Sequence, residues 1–183
     1  MYPLELDLAA RTAIHGTQTG ILTGLAFALT FIGSAAVLTG LVVLAAGILL
    51  YAGRKLAART LIVAMAGEAM LQNGLKALFA RPRPASFFGT EPGGYSFPSG
   101  HALSAFCFCG ALALLARWWP VASPGRLAIA VAGAVMTLGI GWSRLYLGVH
   151  YLSDVVGGYV IGAAWLAFLA AIGQFRSPAG LPP

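Results

Sequence analysis

The sequence predicts an all-α, polytopic membrane protein built as a bundle of five to six helices. The first observation is composition, since 59% of the 183 residues are hydrophobic and 9% are charged, whereas soluble domains carry about 25% charged residues. So few charges cannot cover a soluble surface. The second observation is that long apolar runs alternate with short polar segments. At this length we expect a single membrane-embedded domain over residues 1–183.

The first predicted element, residues 1–33, begins polar and becomes apolar. Its continuous apolar part, Ile21 to Ile32, is shorter than the roughly 20 residues that cross a bilayer. Gly33-Ser34 then interrupts the run. We therefore expect an amphipathic or half-inserted N-terminal helix, with a complete span as the alternative.

Five further apolar segments are predicted to cross the membrane. They are residues 35–52, 60–80, 99–119, 127–142 and 155–173. The second of these is unusual, because Glu68, Gln72 and Lys76 recur every four residues and therefore share one helix face. Polar groups inside a membrane helix are costly and tend to face a cavity. We expect this helix to line a polar cavity.

The loops place two sets of basic residues on opposite sides of the predicted bundle. The first set is Arg54, Lys55, Arg59, Arg117, Arg126 and Arg176. The second set, with two of the three histidines, is Lys76, Arg81, Arg83, His101, Arg144 and His150. The positive-inside rule assigns the first side to the cytoplasm, so the second side faces outward. The basic residues are scattered between apolar segments and form no patch of the kind that binds nucleic acid.

Three segments that are distant in the sequence are predicted to meet on the outer face. They contribute Lys76 and Arg83, then Ser99, Gly100 and His101, then Arg144, His150 and Asp154. Several cations without matching acids indicate a bound polyanion, because Arg pairs bidentately with phosphate oxygens and Lys adds a point charge. Pro98-Ser99 before an apolar run predicts a helix start whose N–H groups suit an anion. Taken alone, these two residues predict a plain helix cap equally well.

His150 and Asp154 predict an activated nucleophile. They are four residues apart, so on a helix the carboxylate can accept a hydrogen bond from one imidazole nitrogen. That bond would fix the tautomer and raise the basicity of the other nitrogen, as a nucleophile requires. His101 then remains to protonate the leaving group as a general acid. The residues thus predict phosphoryl transfer.

Three motifs carry a resemblance to a known family. They are Lys76 followed after six residues by Arg83-Pro84, then Pro98-Ser99-Gly100-His101, then Ser143-Arg144 followed after five residues by His150 and after three more by Asp154. In order and spacing they match the type 2 phosphatidic acid phosphatase (PAP2) family, which shares its site with vanadium haloperoxidases. The resemblance covers residues 76–154, the motif-bearing core, and the flanking helices resemble the family's membrane core.

The resemblance implies a role for each matched residue. His150 would attack phosphorus and form a phosphohistidine that water then hydrolyses, Asp154 would orient His150, and His101 would protonate the leaving group. The residues implied to hold the phosphate oxygens are Lys76, Arg83, Ser99, Gly100 and Arg144. No cofactor and no metal are implied, and the sequence contains no cluster with metal-ligand spacing.

Two further residues, Arg81 and Glu68, are candidates with open roles. Arg81 lies in the same loop as Arg83 but outside the motif, so it is expected either to anchor the interface or to contact phosphate. Glu68 is expected to form a hydrogen bond inside the bundle, to pair with Lys76, or to stay protonated in an apolar site.

We predict an integral membrane phosphatase that hydrolyses lipid phosphates or diphosphates without a metal. Its expected partners are the lipid phosphate and the bilayer, with no nucleic acid. By analogy with bacterial relatives, the expected location is the inner (plasma) membrane with the site on the periplasmic face. The same analogy favours undecaprenyl diphosphate over phosphatidic acid or phosphatidylglycerophosphate as substrate. The alternatives are a lipid phosphotransferase and a non-catalytic lipid-phosphate carrier.

Overall fold

The computed structural model of the chain describes residues 3–89, 93–118 and 122–176. Within these ranges it contains seven α-helices, one 3-10 helix and no β-strand, which confirms the all-α prediction. The α-helices are α1 (Glu5–His15), α2 (Gly20–Ile32), α3 (Ala35–Tyr51), α4 (Lys55–Phe79), α5 (Gly100–Leu115), α6 (Ser123–Tyr146) and α7 (Leu152–Ala171). The 3-10 helix, Ala116–Trp118, extends α5.

The predicted number of five to six helices is too low, because the N-terminal element consists of two helices. Helix α1 ends at His15, and α2 begins after Thr19, whose Oγ1 accepts a hydrogen bond from the Leu22 amide at 3.3 Å. A second cap, the Ser34 hydroxyl, starts α3 after the interruption at Gly33. Helices α2 and α3 together are long and apolar enough to cross a membrane, but they bend by 52° at this break.

Three single helices of the described residues are long and apolar enough to cross a membrane, and the bent α2–α3 pair would make a fourth span. The three are the helices at Gly100–Trp118, Ser123–Tyr146 and Leu152–Ala171, which correspond to the predicted spans 99–119, 127–142 and 155–173. The predicted span 60–80 lies in α4, which does not meet the same criteria of length and composition. Its second half contains the polar face that includes Glu68 and Lys76.

Helix α5 lies at the centre of the bundle, in contact with α4, α6 and α7. Two glycines allow α7 to approach it closely. A Cβ atom at Gly158 would lie 3.0 Å from the Ser99 carbonyl oxygen, and one at Gly162 would lie 2.9 Å from the Phe106 ring. Small residues permit such close helix packing in membranes. As a result, the N-terminal ends of α5 and α7 meet, and these are the ends that carry His101 and Asp154.

Candidate active site

A polar cavity of about 210 Å³ lies among the polar half of α4, the start of α5, the end of α6 and the α2–α3 break. Its lining consists of Gly33, Ala35, Gln72, Lys76, Arg83, Gly100, His101, Ser104, Arg144 and His150. Six of the sequence-predicted site residues are therefore brought together, namely Lys76, Arg83, Gly100, His101, Arg144 and His150. Residues from three distant segments of the chain meet here, as the motif spacing predicts.

The charged groups in this lining include three cations, Lys76, Arg83 and Arg144, and no carboxylate. Arg83 is held by the carbonyl oxygens of Gly94 and Val149, to which its Nε and Nη1 donate at 3.2 and 3.1 Å. Arg144 is buried, and its Nη1 donates to the Thr30 hydroxyl of α2. Because the guanidinium groups are fixed around one cavity, they can bind the oxygens of a phosphate without much reorganisation.

The hydrogen bonds of His150 determine which ring nitrogen carries the proton. Its Nε2 lies 2.9 Å from Nη1 of Arg83, and a guanidinium can only donate. Nε2 is therefore the unprotonated nitrogen, whose lone pair accepts that bond, and the proton is on Nδ1, which faces Oδ2 of Asp154 at 3.3 Å. This tautomer directs the unprotonated nitrogen towards the cations and the protonated nitrogen towards the carboxylate.

The surroundings of His150 also keep its imidazole neutral. Burial is the main cause that lowers the pKa of His150 to about 4; the hydrogen bond to Asp154 opposes burial, and the charges of Arg83 and Arg144 act in the same direction as burial. The group is therefore unprotonated at neutral pH and loses its lone pair only as the pH falls towards that pKa. An unprotonated imidazole is the form that can act as a nucleophile.

Asp154 is completely buried behind His150 and is held by several donors. Its Oδ2 accepts hydrogen bonds from the Ser96 hydroxyl and, at 2.8 Å, from the Tyr151 amide. Its Oδ1 accepts from Nη1 of Arg81 at 2.5 Å. Because Asp154 lies in the first turn of α7, its carboxylate also caps that helix. The orientation of the carboxylate towards His150 is thus fixed by the fold.

Ser99, predicted to bind phosphate, does not line the cavity. It is fully buried, its amide donates to the Asp154 carbonyl oxygen at 3.0 Å, and its hydroxyl has no hydrogen-bond partner within the described residues. Its neighbour Gly100 does line the cavity, where a Cβ atom would lie 1.8 Å from the Gln72 side-chain oxygen. A larger residue at position 100 would therefore displace the end of the Gln72 side chain, which also lines the cavity.

Arg81 is directed away from the cavity. Its guanidinium bonds to Asp7, Ser153 and Asp154 and lies over the ring of Tyr151. Sequence reasoning missed Asp7, Ser153 and Ser96 as parts of the site. No spacing pattern connects Asp7 to residues more than seventy positions away, and α1 carries two acids, Glu5 and Asp7, of which the sequence does not say which is buried.

Glu68 belongs to a second cavity, which adjoins the first. It is buried, and its Oε1 accepts a hydrogen bond from the Ser104 hydroxyl at 2.9 Å. The second cavity has a volume of about 300 Å³ and is lined by Ala35, Leu38, Thr39, Val42, Ile62, Met65, Ala66, Glu68, Ala69, Gln72 and Ser104. We call it the α3–α4 groove. It shares Ala35, Gln72 and Ser104 with the polar cavity described above, which we call the phosphate cavity, so the two are contiguous.

Comparison with known proteins identifies the family. Residues 57–178, well over half of the chain, match the profile of the PAP2 superfamily. The chain belongs to the PAP2 superfamily. This membership confirms the resemblance inferred from the three motifs.

The PAP2 relatives of this chain include several phosphatases. Phosphatidylglycerophosphatase B of Bacillus subtilis is 32% identical over 145 residues, which cover 78% of this chain and 68% of that protein. Undecaprenyl-diphosphatase of Sulfolobus acidocaldarius is 32% identical over 117 residues, covering 61% of this chain and 52% of the relative. Lipid A 1-phosphatase of Rhizobium johnstonii is 34% identical over 113 residues, covering 56% and 42%. The chain therefore spans about half the length of the latter two.

Two solved PAP2-type structures have the same fold. A transmembrane phosphatidylglycerolphosphate phosphatase from Bacillus subtilis superposes with a TM-score of 0.83 at 25% identity, covering 94% of this chain and 87% of the other. LpxE of Aquifex aeolicus superposes with a TM-score of 0.72 at 28% identity, covering 92% and 96%. The predicted PAP2-like helical core is confirmed by both superpositions.

Proposed function

We propose that this PAP2 protein hydrolyses lipid phosphates through a phosphohistidine formed on His150. The observation that carries the proposal is the meeting of Lys76, Arg83, Arg144 and both motif histidines around one cavity of about 210 Å³. Cations supply the binding energy for a phosphate, and the neutral Nε2 of His150 faces them. We propose that residues 1–183 form one catalytic domain.

In the first step, the phosphate binds among the cations and takes the place of Nε2 as a partner of Arg83. The Nε2 lone pair then forms a bond to phosphorus, while the bond from phosphorus to the leaving oxygen breaks and its electrons remain on that oxygen. His101, in the same cavity, donates a proton to the leaving oxygen. The cations stabilise the charge that develops on the three non-bridging oxygens of the transferred phosphoryl group.

In the second step, His101 acts in reverse as the base. It removes a proton from a water molecule, the water oxygen bonds to phosphorus, and the bond between phosphorus and Nε2 breaks. Inorganic phosphate is released and His150 recovers its lone pair. Throughout the cycle, Asp154 accepts the hydrogen bond from Nδ1 and stabilises the positive charge on the phosphorylated ring.

The α3–α4 groove supports a lipid as the substrate. It opens into the phosphate cavity and is lined mainly by apolar side chains, so an acyl or prenyl chain can lie there while the phosphate binds among the cations. The relatives include enzymes named for phosphatidylglycerophosphate and for undecaprenyl diphosphate, and we propose both lipids as candidate substrates. We propose that the active site lies on the outer face, from the loop charges, and, by analogy with the bacterial relatives, that this is the periplasmic face of the inner membrane.

We also propose that the reaction needs no metal. The phosphate cavity already holds three cationic side chains, which would repel a divalent ion and perform its usual task of neutralising phosphate charge. The chain's own residues therefore account for every step.

A phosphate-release panel tests the proposed function. The substrates are undecaprenyl diphosphate, phosphatidic acid, phosphatidylglycerophosphate and water-soluble p-nitrophenyl phosphate, in detergent with and without chelator. We expect faster release from at least one lipid than from the soluble ester, with no effect of the chelator. Binding without release would favour the carrier, formation of a new phosphate ester with an added alcohol would favour the phosphotransferase, and activity restored only by Mg²⁺ would refute metal independence.

In the same panel, Ala69→Phe tests whether the lipid chain occupies the α3–α4 groove. Ala69 lines the groove but not the phosphate cavity, so a phenyl ring there should block the chain and leave the phosphate site open. We expect the KM for the preferred lipid to rise about tenfold, as for the loss of an apolar subsite, with p-nitrophenyl phosphate turnover unchanged. Ala134→Phe is the matched control, since Ala134 lines a separate apolar pocket between α5 and α6. Equal KM values for the two variants would show that the lipid tail binds outside the α3–α4 groove.

A pH profile tests the role of Arg83 in keeping His150 neutral. The rate should fall as the pH drops through the pKa of His150, because protonation removes the attacking lone pair. Arg83 is one of the charges that lower this pKa, so Arg83→Gln should raise the pKa and move the acidic limb of kcat/KM to higher pH. The ionisation of the substrate is common to both enzymes and cancels in the comparison.

Lys76→Gln is the control for this profile, because it removes another cavity cation that forms no hydrogen bond with His150 in the described structure. We expect a lower rate with an acidic limb close to that of the wild type. Superimposable limbs for Arg83→Gln and the wild type would contradict the electrostatic role of Arg83.

A further inference from the structure

Helix α1 buries an acid instead of an apolar residue. Asp7 is its one buried residue and is 1% exposed, whereas the flanking Leu6 and Leu8 are exposed. The Asp7 carboxylate accepts hydrogen bonds at 2.8 Å from Nη2 of Arg81 and from both the amide and the hydroxyl of Ser153. A buried carboxylate is costly unless it is fully paired. The contacts of Asp7 therefore indicate the role of α1.

Arg81 connects Asp7 to the nucleophile's carboxylate. Its Nη2 donates to Asp7 and its Nη1 donates to Oδ1 of Asp154 at 2.5 Å, so one guanidinium bridges two acids. Nη1 also donates to the Ser153 hydroxyl at 2.7 Å. All three charged side chains are 1% exposed or less. Ser153 contacts both Asp7 and Arg81, which makes the arrangement a closed cluster.

The two oxygens of Asp154 have different partners. Oδ1 accepts from Arg81, whereas Oδ2 accepts from the Ser96 hydroxyl and the Tyr151 amide and faces Nδ1 of His150. A guanidinium that meets a single carboxylate tends to pair with both of its oxygens. Arg81 instead contacts Oδ1 of Asp154 and leaves Oδ2 to other donors. With Asp7 in place, Nη2 is occupied, and Arg81 reaches Asp154 through Nη1.

We propose that Asp7 and Arg81 are positioning residues, which hold the Asp154 carboxylate so that Oδ2 stays directed at His150. The inference rests on the proposed function of His150. Without the acid at position 7, Arg81 would pair with both oxygens of Asp154, compete with the Ser96 hydroxyl and the Tyr151 amide for Oδ2, and draw Oδ2 away from the imidazole. Helix α1 is thus a working part of the active site, although it does not line the phosphate cavity.

Arg11 also anchors α1 to the bundle. The anchoring of α1 can therefore be tested separately from the positioning of Asp154. Arg11 donates to the carbonyl oxygens of Gly148 and Ala85 and lies 4.0 Å from the ring centre of Phe87. It has no described contact with Asp154. A variant at Arg11 therefore weakens the docking of α1 without changing the charge next to Arg81.

The test compares Asp7→Asn with Arg11→Gln and with Glu5→Gln, which removes an exposed acid from the same helix. We expect Asp7→Asn to lower kcat about tenfold, as for the loss of a partner that orients a functional side chain, with KM within about twofold because the phosphate cavity is intact. Arg11→Gln should lower the melting temperature in detergent while kcat stays close to the wild-type value. Glu5→Gln should change neither quantity.

Arg81→Lys provides an independent variant, because an ammonium group cannot donate from two fixed positions to two carboxylates. It should lower kcat to a similar extent, and the Asp7→Asn/Arg81→Lys double variant should lose no more than the worse single variant. Wild-type kcat in folded Asp7→Asn or Arg81→Lys, or equal kcat losses in Asp7→Asn and Arg11→Gln, would overturn the inference. An inactive wild-type enzyme would instead refute the proposed function.

Discussion

His150→Ala is expected to reduce phosphate release from lipid phosphates by about four orders of magnitude or more. The substitution removes the lone pair that attacks phosphorus, which is carried by the Nε2 atom that lies 2.9 Å from Arg83 in the cavity. The loss should appear in kcat, while binding of the lipid phosphate persists because Lys76, Arg83 and Arg144 are unchanged.

The matched control is His15→Ala, which truncates a histidine on α1 that is exposed and contacts the ring of Phe87. Its kcat should equal that of the wild type. A direct measurement of the intermediate is the mass of the peptide that contains His150 after rapid quenching, which should increase by one phosphoryl group in the wild type only. Full activity of His150→Ala would refute the phosphohistidine mechanism.

The motif spacing predicts the composition of the phosphate cavity because each motif lies at the end of a helix. Lys76 lies near the end of α4, His101 at the start of α5 and Arg144 near the end of α6. Helices that cross a membrane must return their ends to one of two faces. Loop parity therefore places the motifs of α5 and α6 at the same face, and the packing of α4 against α5 brings Lys76 to the cavity.

The sequence predicts that His150 and Asp154 pair on one helix face, and the structure pairs them by a different geometry. The spacing of four suggested two side chains on one helix face, but α7 begins at Leu152, so His150 precedes the helix. The carboxylate of Asp154 reaches back over the first turn to the amide of Tyr151 and to the imidazole. A helix cap thus produces the contact that helix periodicity was expected to produce.

The contacts of Arg81 with Asp154 and Asp7 could not be predicted, since they join distant segments of the chain. Arg81 is 74 residues from Asp7 and 73 from Asp154. Periodicity and motif spacing describe neighbours along a helix, and they contain no information on which buried acid a given arginine will meet. The division of the N-terminal segment into α1 and α2 could not be predicted either. This division lets Asp7 dock separately from the apolar α2.

His101→Ala is expected to lower kcat for lipid phosphate monoesters, such as phosphatidylglycerophosphate, by about a hundredfold to ten-thousandfold, the usual contribution of a general acid. An alkoxide leaves with difficulty unless it is protonated as the bond to phosphorus breaks. His101 is placed for this role in the first turn of α5, where it lines the cavity together with His150. The loss should therefore depend on how much the leaving group needs a proton.

Leaving-group chemistry separates this role from a general defect in the cavity. The acidic phenol of p-nitrophenyl phosphate leaves without a proton, so His101→Ala should still form the phosphohistidine from it. The second step needs His101 as a base, so we expect a burst of about one equivalent of nitrophenol per enzyme, followed by slow turnover. His150→Ala should give no burst with this ester. If His101→Ala also gave none and lost equal activity on both kinds of substrate, the residue would bind or support the phosphate instead of transferring the proton.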